Sequence, residues 1–179
     1  MAAKKDSSKG KKQRIVLLDM HAIMHRAYHA LPEFSTSKGE PSGALYGLAA
    51  MLVKIGTELK PDHIAAAYDL AKPTHRHIAF DGYKAGRIKA DDALITQIER
   101  SRDVLAALNI PSYEHEGFEA DDILGTIVEQ TKENDALEVI IATGDMDTLQ
   151  LVDKKRVKVF TLRKGINDTI LYGFDEVVA

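Results

Sequence analysis

Two kinds of apolar pattern alternate along this chain. Short unbroken runs at 15–18, 63–68 and 138–143 predict strands buried on both faces, each followed at once by an acidic residue or by Gly-Asp. Between them, apolar residues recur at helical spacing. Leu45, Leu48, Met51, Leu52 and Ile55 predict a helix over 43–59, and Leu94, Ile98, Val104, Leu105 and Leu108 predict one over 92–108. Further helices are predicted from Met20 to about Ala30, stopped by Pro32, over 120–132 and, shorter, over 146–152. A short strand is expected over 110–115. Val157–Leu162 and Thr169–Tyr172 flank Arg163-Lys164-Gly165 and predict a hairpin, and a last helix opens at Asp175. The stretch 33–42 is a polar loop, and 72–90 is basic and broken by Pro73, Gly82 and Gly86. Strands alternating with helices predict an α/β fold with a mostly parallel sheet, and such sheets take ligands beyond the carboxyl ends of their strands.

Composition narrows this picture. The chain has 179 residues, 45% of them apolar and 28% charged, which suits one globular domain. No apolar run approaches the length of a membrane span, and the Lys-rich start has no apolar core of a secretory signal. There is no cysteine, which removes thiolate metal sites and a Cys nucleophile and fits a cytoplasmic location. The net charge of -3 hides a split. Residues 1–14 carry Lys4, Lys5, Lys9, Lys11, Lys12 and Arg14 against Asp6 alone, so a tail expected to be disordered is basic and the body at 15–179 is acidic. An acidic body repels nucleic acid unless its carboxylates hold cations.

The carboxylates are not scattered. Asp19, Asp69 and Asp145 end three predicted strands, Asp147 follows two residues on, and Glu119, Asp121 and Asp122 open the helix after the fourth. Any one of them reads equally as a helix N-cap. Seven at one edge repel one another, a cost that hard divalent cations remove, and oxygen-only ligation suits Mg²⁺ or Mn²⁺. Two such ions roughly 3.5–4 Å apart form the usual site for phosphodiester hydrolysis. The segment after Asp69 supplies the complement: Arg76, Lys84, Arg87 and Lys89 interleaved with His75, His77, Phe80 and Tyr83, charge for phosphates and rings for bases, or else a solvated surface loop. His21, His25 and His29 share a predicted helix face and leave a zinc site open, though no glutamate is placed as in a zincin. Asp145-Met146-Asp147 also fits the D-x-D of phosphoryl-aspartate phosphatases. No P-loop, G-x-G-x-x-G or G-x-S-x-G is present.

These residues resemble the N-terminal half of the 5′ nuclease domains of bacterial DNA polymerase I, within the flap endonuclease superfamily. The resemblance is carried by Leu18-Asp19 with Arg26-Ala27-Tyr28-His29-Ala30-Leu31-Pro32, Gly43-Ala44-Leu45-Tyr46-Gly47, Tyr68-Asp69 with Pro73-Thr74-His75-Arg76-His77, and Tyr83-Lys84-Ala85-Gly86-Arg87. It continues through 117–126, 143–152 and Arg163-Lys164-Gly165, covering nearly everything from Ile15 onward.

The resemblance implies a three-layer PIN-like domain with a mostly parallel sheet flanked by helices and topped by a helical arch. It implies divalent-metal-dependent cleavage of DNA at or near a free 5′ end, 5′ flaps included, in replication and repair, with two Mg²⁺ ions for which Mn²⁺ can stand in. Asp19, Asp69, Glu119, Asp121, Asp122, Asp145 and Asp147 are the implied metal carboxylates. Lys84 and Arg87 are the implied catalytic cations, and Arg26, Arg76 and Tyr83 join them in gripping DNA. A monomer is expected, with a polymerase domain on the parent chain. Two departures stand out: Met20, His21 and His25 occupy positions where the family has glycine or other small or polar residues, and the family's Gly-Asp-x-x-Asp-Asn stretch and duplex-gripping helical element would lie beyond Ala179, so a truncated domain is expected. A PIN-like ribonuclease and a nucleic-acid-binding fragment with an incomplete metal site are the alternative readings.

Overall fold

A computed structural model describes residues 12–86, 89–164 and 168–179. Six strands form one sheet: β1 Gln13–Asp19, β2 His63–Ala67, β3 Ser112–Tyr113, β4 Leu137–Ala142, β5 Val157–Lys164 and β6 Asp168–Tyr172. Their order is β3-β2-β1-β4-β5-β6. All neighbouring pairs are parallel except β5 and β6, which pair antiparallel as the expected hairpin. The helices are α1 Met20–Ala30, α2 Gly43–Lys54, α3 His75–Ala79, α4 Asp92–Ala107, α5 Ala120–Gln130 and α6 Phe174–Val178. The helical run after Gly43 reaches Leu59 as its periodicity predicts, with a π-helical last turn, Ile55–Leu59, closed by left-handed Lys60 before Pro61.

The sheet sorts its side chains by parity, as a period of two requires. Val16 and Leu18 of β1 and Ile140 and Ala142 of β4 face α1, α2 and α4, packing on Met20, Ile23, Met24, Leu48, Leu94 and Leu105. Leu17, Val139, Ile141, Val157 and Val159 face the other way, onto Ala120, Leu124 and Val128 of α5. The expected three layers follow, with β1 and β4 buried from both sides. The chain builds outward from β1 through β2 to β3, then returns to lay β4 on the opposite flank. The point where that direction reverses, between β1 and β4, is where open α/β sheets leave a crevice.

The structure adjusts three expectations. The tail boundary moves: Gln13 and Arg14, grouped with the basic tail, belong to β1 and pair with Leu137 and Glu138, because a partner strand gives their backbone groups a ladder. Residues 1–11 of that expected tail lie outside the described residues. The strand expected over 110–115 shrinks to Ser112–Tyr113, since it sits at the sheet's edge and Pro111 has no N–H to donate. The basic segment, whose Arg76, Tyr83, Lys84 and Arg87 the resemblance assigns to a helical arch, has among the described residues only the single turn of α3, capped by Thr74 and His77, followed by turns through Gly86. Among the described residues no helix is long and apolar enough to cross a membrane.

Candidate functional site

Each central parallel strand ends where an apolar run meets an acidic residue, so the sheet's carboxyl edge is acidic by construction. Asp19 closes β1, Asp69 follows β2, Glu119 and Asp121 open α5, and Asp145 follows β4. All five line one cavity of about 900 Å³. One wall is the face of α1 carrying His21, His25, Arg26 and His29, and Lys84 reaches in from the basic segment.

Capping and clustering prove to be the same arrangement. Asp19 caps α1 by accepting from the Ala22 N–H at 3.1 Å, while the Thr143 hydroxyl donates to its second oxygen at 2.7 Å. The Thr143 oxygen in turn accepts from the Asp145 N–H at 2.9 Å, so one hydroxyl aligns the ends of β1 and β4. Asp145 caps its own short helix through the Asp147 N–H, and Asp69 accepts from the Ala120 N–H at 2.7 Å. His21 Nδ1 accepts from the Asp69 N–H. Gly144 is required for the close approach here, because a Cβ on it would lie 2.8 Å from the Ala22 carbonyl.

The electrostatics separate these acids. Asp19 is only 4% exposed, and burial pushes its carboxyl up to about 6, against the hydrogen bonds from Thr143 and Ala22, with the Asp121 and Asp69 charges adding to the rise. Asp121 stands at the cavity rim, yet it too is raised, first by lost hydration on its protein side and then by Asp145, Asp69 and Glu119. Glu119 is opposite. Burial works against its charge, but hydrogen bonds from Lys84 at 2.8 Å and Tyr83 at 3.0 Å hold it below the usual carboxylate range. Oxygen donors without sulfur, two of them held above their ordinary range chiefly by burial and then by mutual repulsion, are the donor type a hard divalent cation takes.

Not every expected residue reaches the cavity. Asp122 lies on the far side of the first turn of α5, where Arg76 grips it with two 2.7 Å bonds and holds its carboxyl low. It also completes a capping box with the Glu119 backbone. Asp147 is exposed beside Asp145 and outside the cavity lining. Arg26 and Lys84 face the cavity, whereas Tyr83 and Arg76 lean on Glu119 from its rim. Arg87 lies outside the described residues. The histidine face lines the wall, yet among the described residues no three His, Asp or Glu side chains are close enough to chelate one ion, zinc included. Thr143 is the structural residue that sequence reasoning passed over; its place between a buried strand and Gly-Asp was the available signal.

The 5′-3′ exonuclease, N-terminal resolvase-like domain family matches residues 14–179. The chain belongs to this family. Among relatives, DNA polymerase I of Caldicellulosiruptor bescii is 43% identical over 144 residues, 80% of this chain and 17% of that protein. DNA polymerase I of Bacillus subtilis is 40% identical over 161 residues, 90% of this chain and 18% of that protein. The family fold is seen again in a bacteriophage T5 flap endonuclease captured with DNA and metal ions. Its TM-score is 0.61 at 18% identity, covering 90% of this chain and 58% of that one. The chain thus spans less than a fifth of the polymerase relatives' length.

Proposed function

We propose that this domain hydrolyses DNA phosphodiester bonds at or near a 5′ end, using divalent cations held at the acidic edge. The observation that carries the reading is the convergence of Asp19, Asp69, Glu119, Asp121 and Asp145 on one cavity that Lys84 also enters. Membership of a 5′-3′ exonuclease family and a shared fold with a flap endonuclease bound to DNA and metal ions support it.

In this reading two Mg²⁺ ions, or Mn²⁺ in their place, are held by those five carboxylates. Asp122, now held by Arg76, and Asp147, beside Asp145, would be further ligands only if their side chains turned toward the cavity. The chemistry a bound ion pair supplies is acidification of water and neutralisation of charge on phosphate oxygens. Lys84 and Arg87 orient the scissile phosphate and offset charge that grows on it, while Arg26, Arg76 and Tyr83 hold the strand. No side-chain nucleophile is needed.

A second reading, nucleic-acid binding without efficient cleavage, is favoured by one observation: no chelating trio is formed among the described residues. Incubating this chain, and a version extended past Ala179, with 5′-flap DNA and its RNA counterpart in Mg²⁺ decides the matter. DNA cleavage by either protein is the expected result. Cleavage of RNA alone replaces the reading with a ribonuclease. Binding without cleavage by both proteins establishes the second reading.

A further inference from the structure

Both oxygens of Glu119 are taken by the basic segment. Oε1 accepts from Lys84 Nζ at 2.8 Å, and Oε2 accepts from the Tyr83 hydroxyl at 3.0 Å, with Arg76 Nη1 at 3.6 Å from the same oxygen. The pair is sheltered, with the Glu119 side chain 9% exposed and that of Lys84 26%. Lys84 reaches it from a left-handed backbone, φ 56°, which a residue with a side chain rarely adopts. Two positions further on, Asp121 enters the same cavity with no side-chain hydrogen bond among the described residues. Within the cavity, a carboxylate neutralised by protein therefore sits beside one that is not.

With Lys84 on one Glu119 oxygen and Tyr83 on the other, a divalent cation arriving at that carboxylate meets two occupied oxygens and a like charge, and each cation weakens the other's hold. We propose that Lys84 and Tyr83 compete with a divalent cation for Glu119, so that a phosphate drawing them away raises the site's affinity for that cation. Metal capture and phosphate capture are then coupled through a single side chain, and linkage makes the coupling reciprocal. The proposal rests on the nuclease reading above and adds an order to it: the strand that brings the phosphate also frees the metal ligand.

The test uses Mn²⁺ as the probe, its free concentration read by electron paramagnetic resonance, on the 179-residue chain. Lys84→Ala should bind Mn²⁺ roughly five- to tenfold more tightly than the wild type, at the lower end of common coupling factors. Tyr83→Phe removes a neutral donor and no charge, so it should tighten binding by a smaller factor, about twofold. A hydrolysis-resistant phosphorothioate oligonucleotide, with its own Mn²⁺ binding subtracted, should strengthen Mn²⁺ binding more in the wild type than in Lys84→Ala. Saturable binding that is equal or weaker in both variants overturns the coupling and leaves the metal site standing. Tighter binding in Lys84→Ala alone also overturns it, because that is the signature of a removed charge rather than of a freed carboxylate. No saturable binding in any of the three proteins overturns the metal site and the coupling together.

Discussion

Thr143 donates its hydroxyl to Asp19 at 2.7 Å across the seam between β1 and β4, and even that bond leaves the Asp19 carboxyl elevated, at about 6. Burial outweighs it. A carboxyl raised in the folded state stabilises the fold fully below its unfolded value of 3.8 and loses that contribution as pH rises through 6. At neutral pH with a chelator present, Asp19 is therefore a liability of up to about 3 kcal/mol. Asp19→Asn should raise the melting temperature in EDTA at pH 7.5 and give no gain at pH 4. Equal effects at both pH values would contradict the assignment.

Glu138 sits between Arg14 and Lys158, bonding Arg14 Nε at 2.6 Å and Lys158 Nζ at 2.9 Å, and so ties three adjacent strands together. Burial opposes its charge, but the bonds from Lys158 and Arg14 win and hold its carboxyl below the ordinary range. A depressed carboxyl stabilises above its unfolded value, and that stability is lost as pH falls through the folded one. Glu138→Gln should cost about 1 kcal/mol at pH 7, or roughly 2–4 °C. It should also flatten the acid limb of the stability curve, measured by urea titrations between pH 3 and pH 7.

Two glycines give opposite forecasts. Gly144→Ala drives a Cβ to 2.8 Å from the Ala22 carbonyl and 3.2 Å from Arg26 Cβ, so it should destabilise the fold by about 1–3 kcal/mol and weaken Mn²⁺ binding by displacing Asp145. Gly125→Ala, inside α5, meets only Leu151 Cδ2 at 4.0 Å and should stabilise by roughly 0.5–1 kcal/mol. Paired thermal melts check both, and a neutral Gly144→Ala would remove the steric account of that turn.

Lys84→Ala in the extended protein should slow single-turnover cleavage of 5′-flap DNA by roughly 10²–10³-fold at saturating enzyme, the cost of losing one preorganised donor. Because alanine keeps a Cβ, the left-handed backbone is disfavoured equally in both proteins. Lys89, with its side chain 83% exposed and a 3.5 Å contact to Asp92, is expected to act only on phosphate binding and its salt slope. A Lys84→Ala protein that cleaves at the wild-type rate once saturated would reduce Lys84 to an anchor.

The legible part of the site was the part written locally. An apolar run that ends in Asp is visible in sequence, and parallel strands deliver every such ending to one edge, so the sequence alone brings Asp19, Asp69 and Asp145 together. It does not place their neighbours. Whether Asp121 or Asp122 enters the cavity depends on the rotation of α5, and the fate of Asp122 depends on Arg76, 46 positions away. The capping reading and the cation reading looked like rivals because each used the same oxygens. A carboxylate has room for both, and Asp19, Asp69 and Asp145 accept backbone N–H groups while still bordering the cavity.

The seam that joins Asp19 to Thr143 spans 124 positions of sequence. A chain emerging from the ribosome therefore completes β1, α1, α2 and β2 long before the strand that must slide in beside β1. Until β4 arrives, one edge of β1 is unpaired and Leu17 lacks its Ile141 neighbour. Contacts of such long range are slow to form, since the loop must close before any reward is felt. The Asp145 corner of the acidic rim is thus completed last, and a divalent cation that needs that corner would deepen the native well rather than guide the chain toward it.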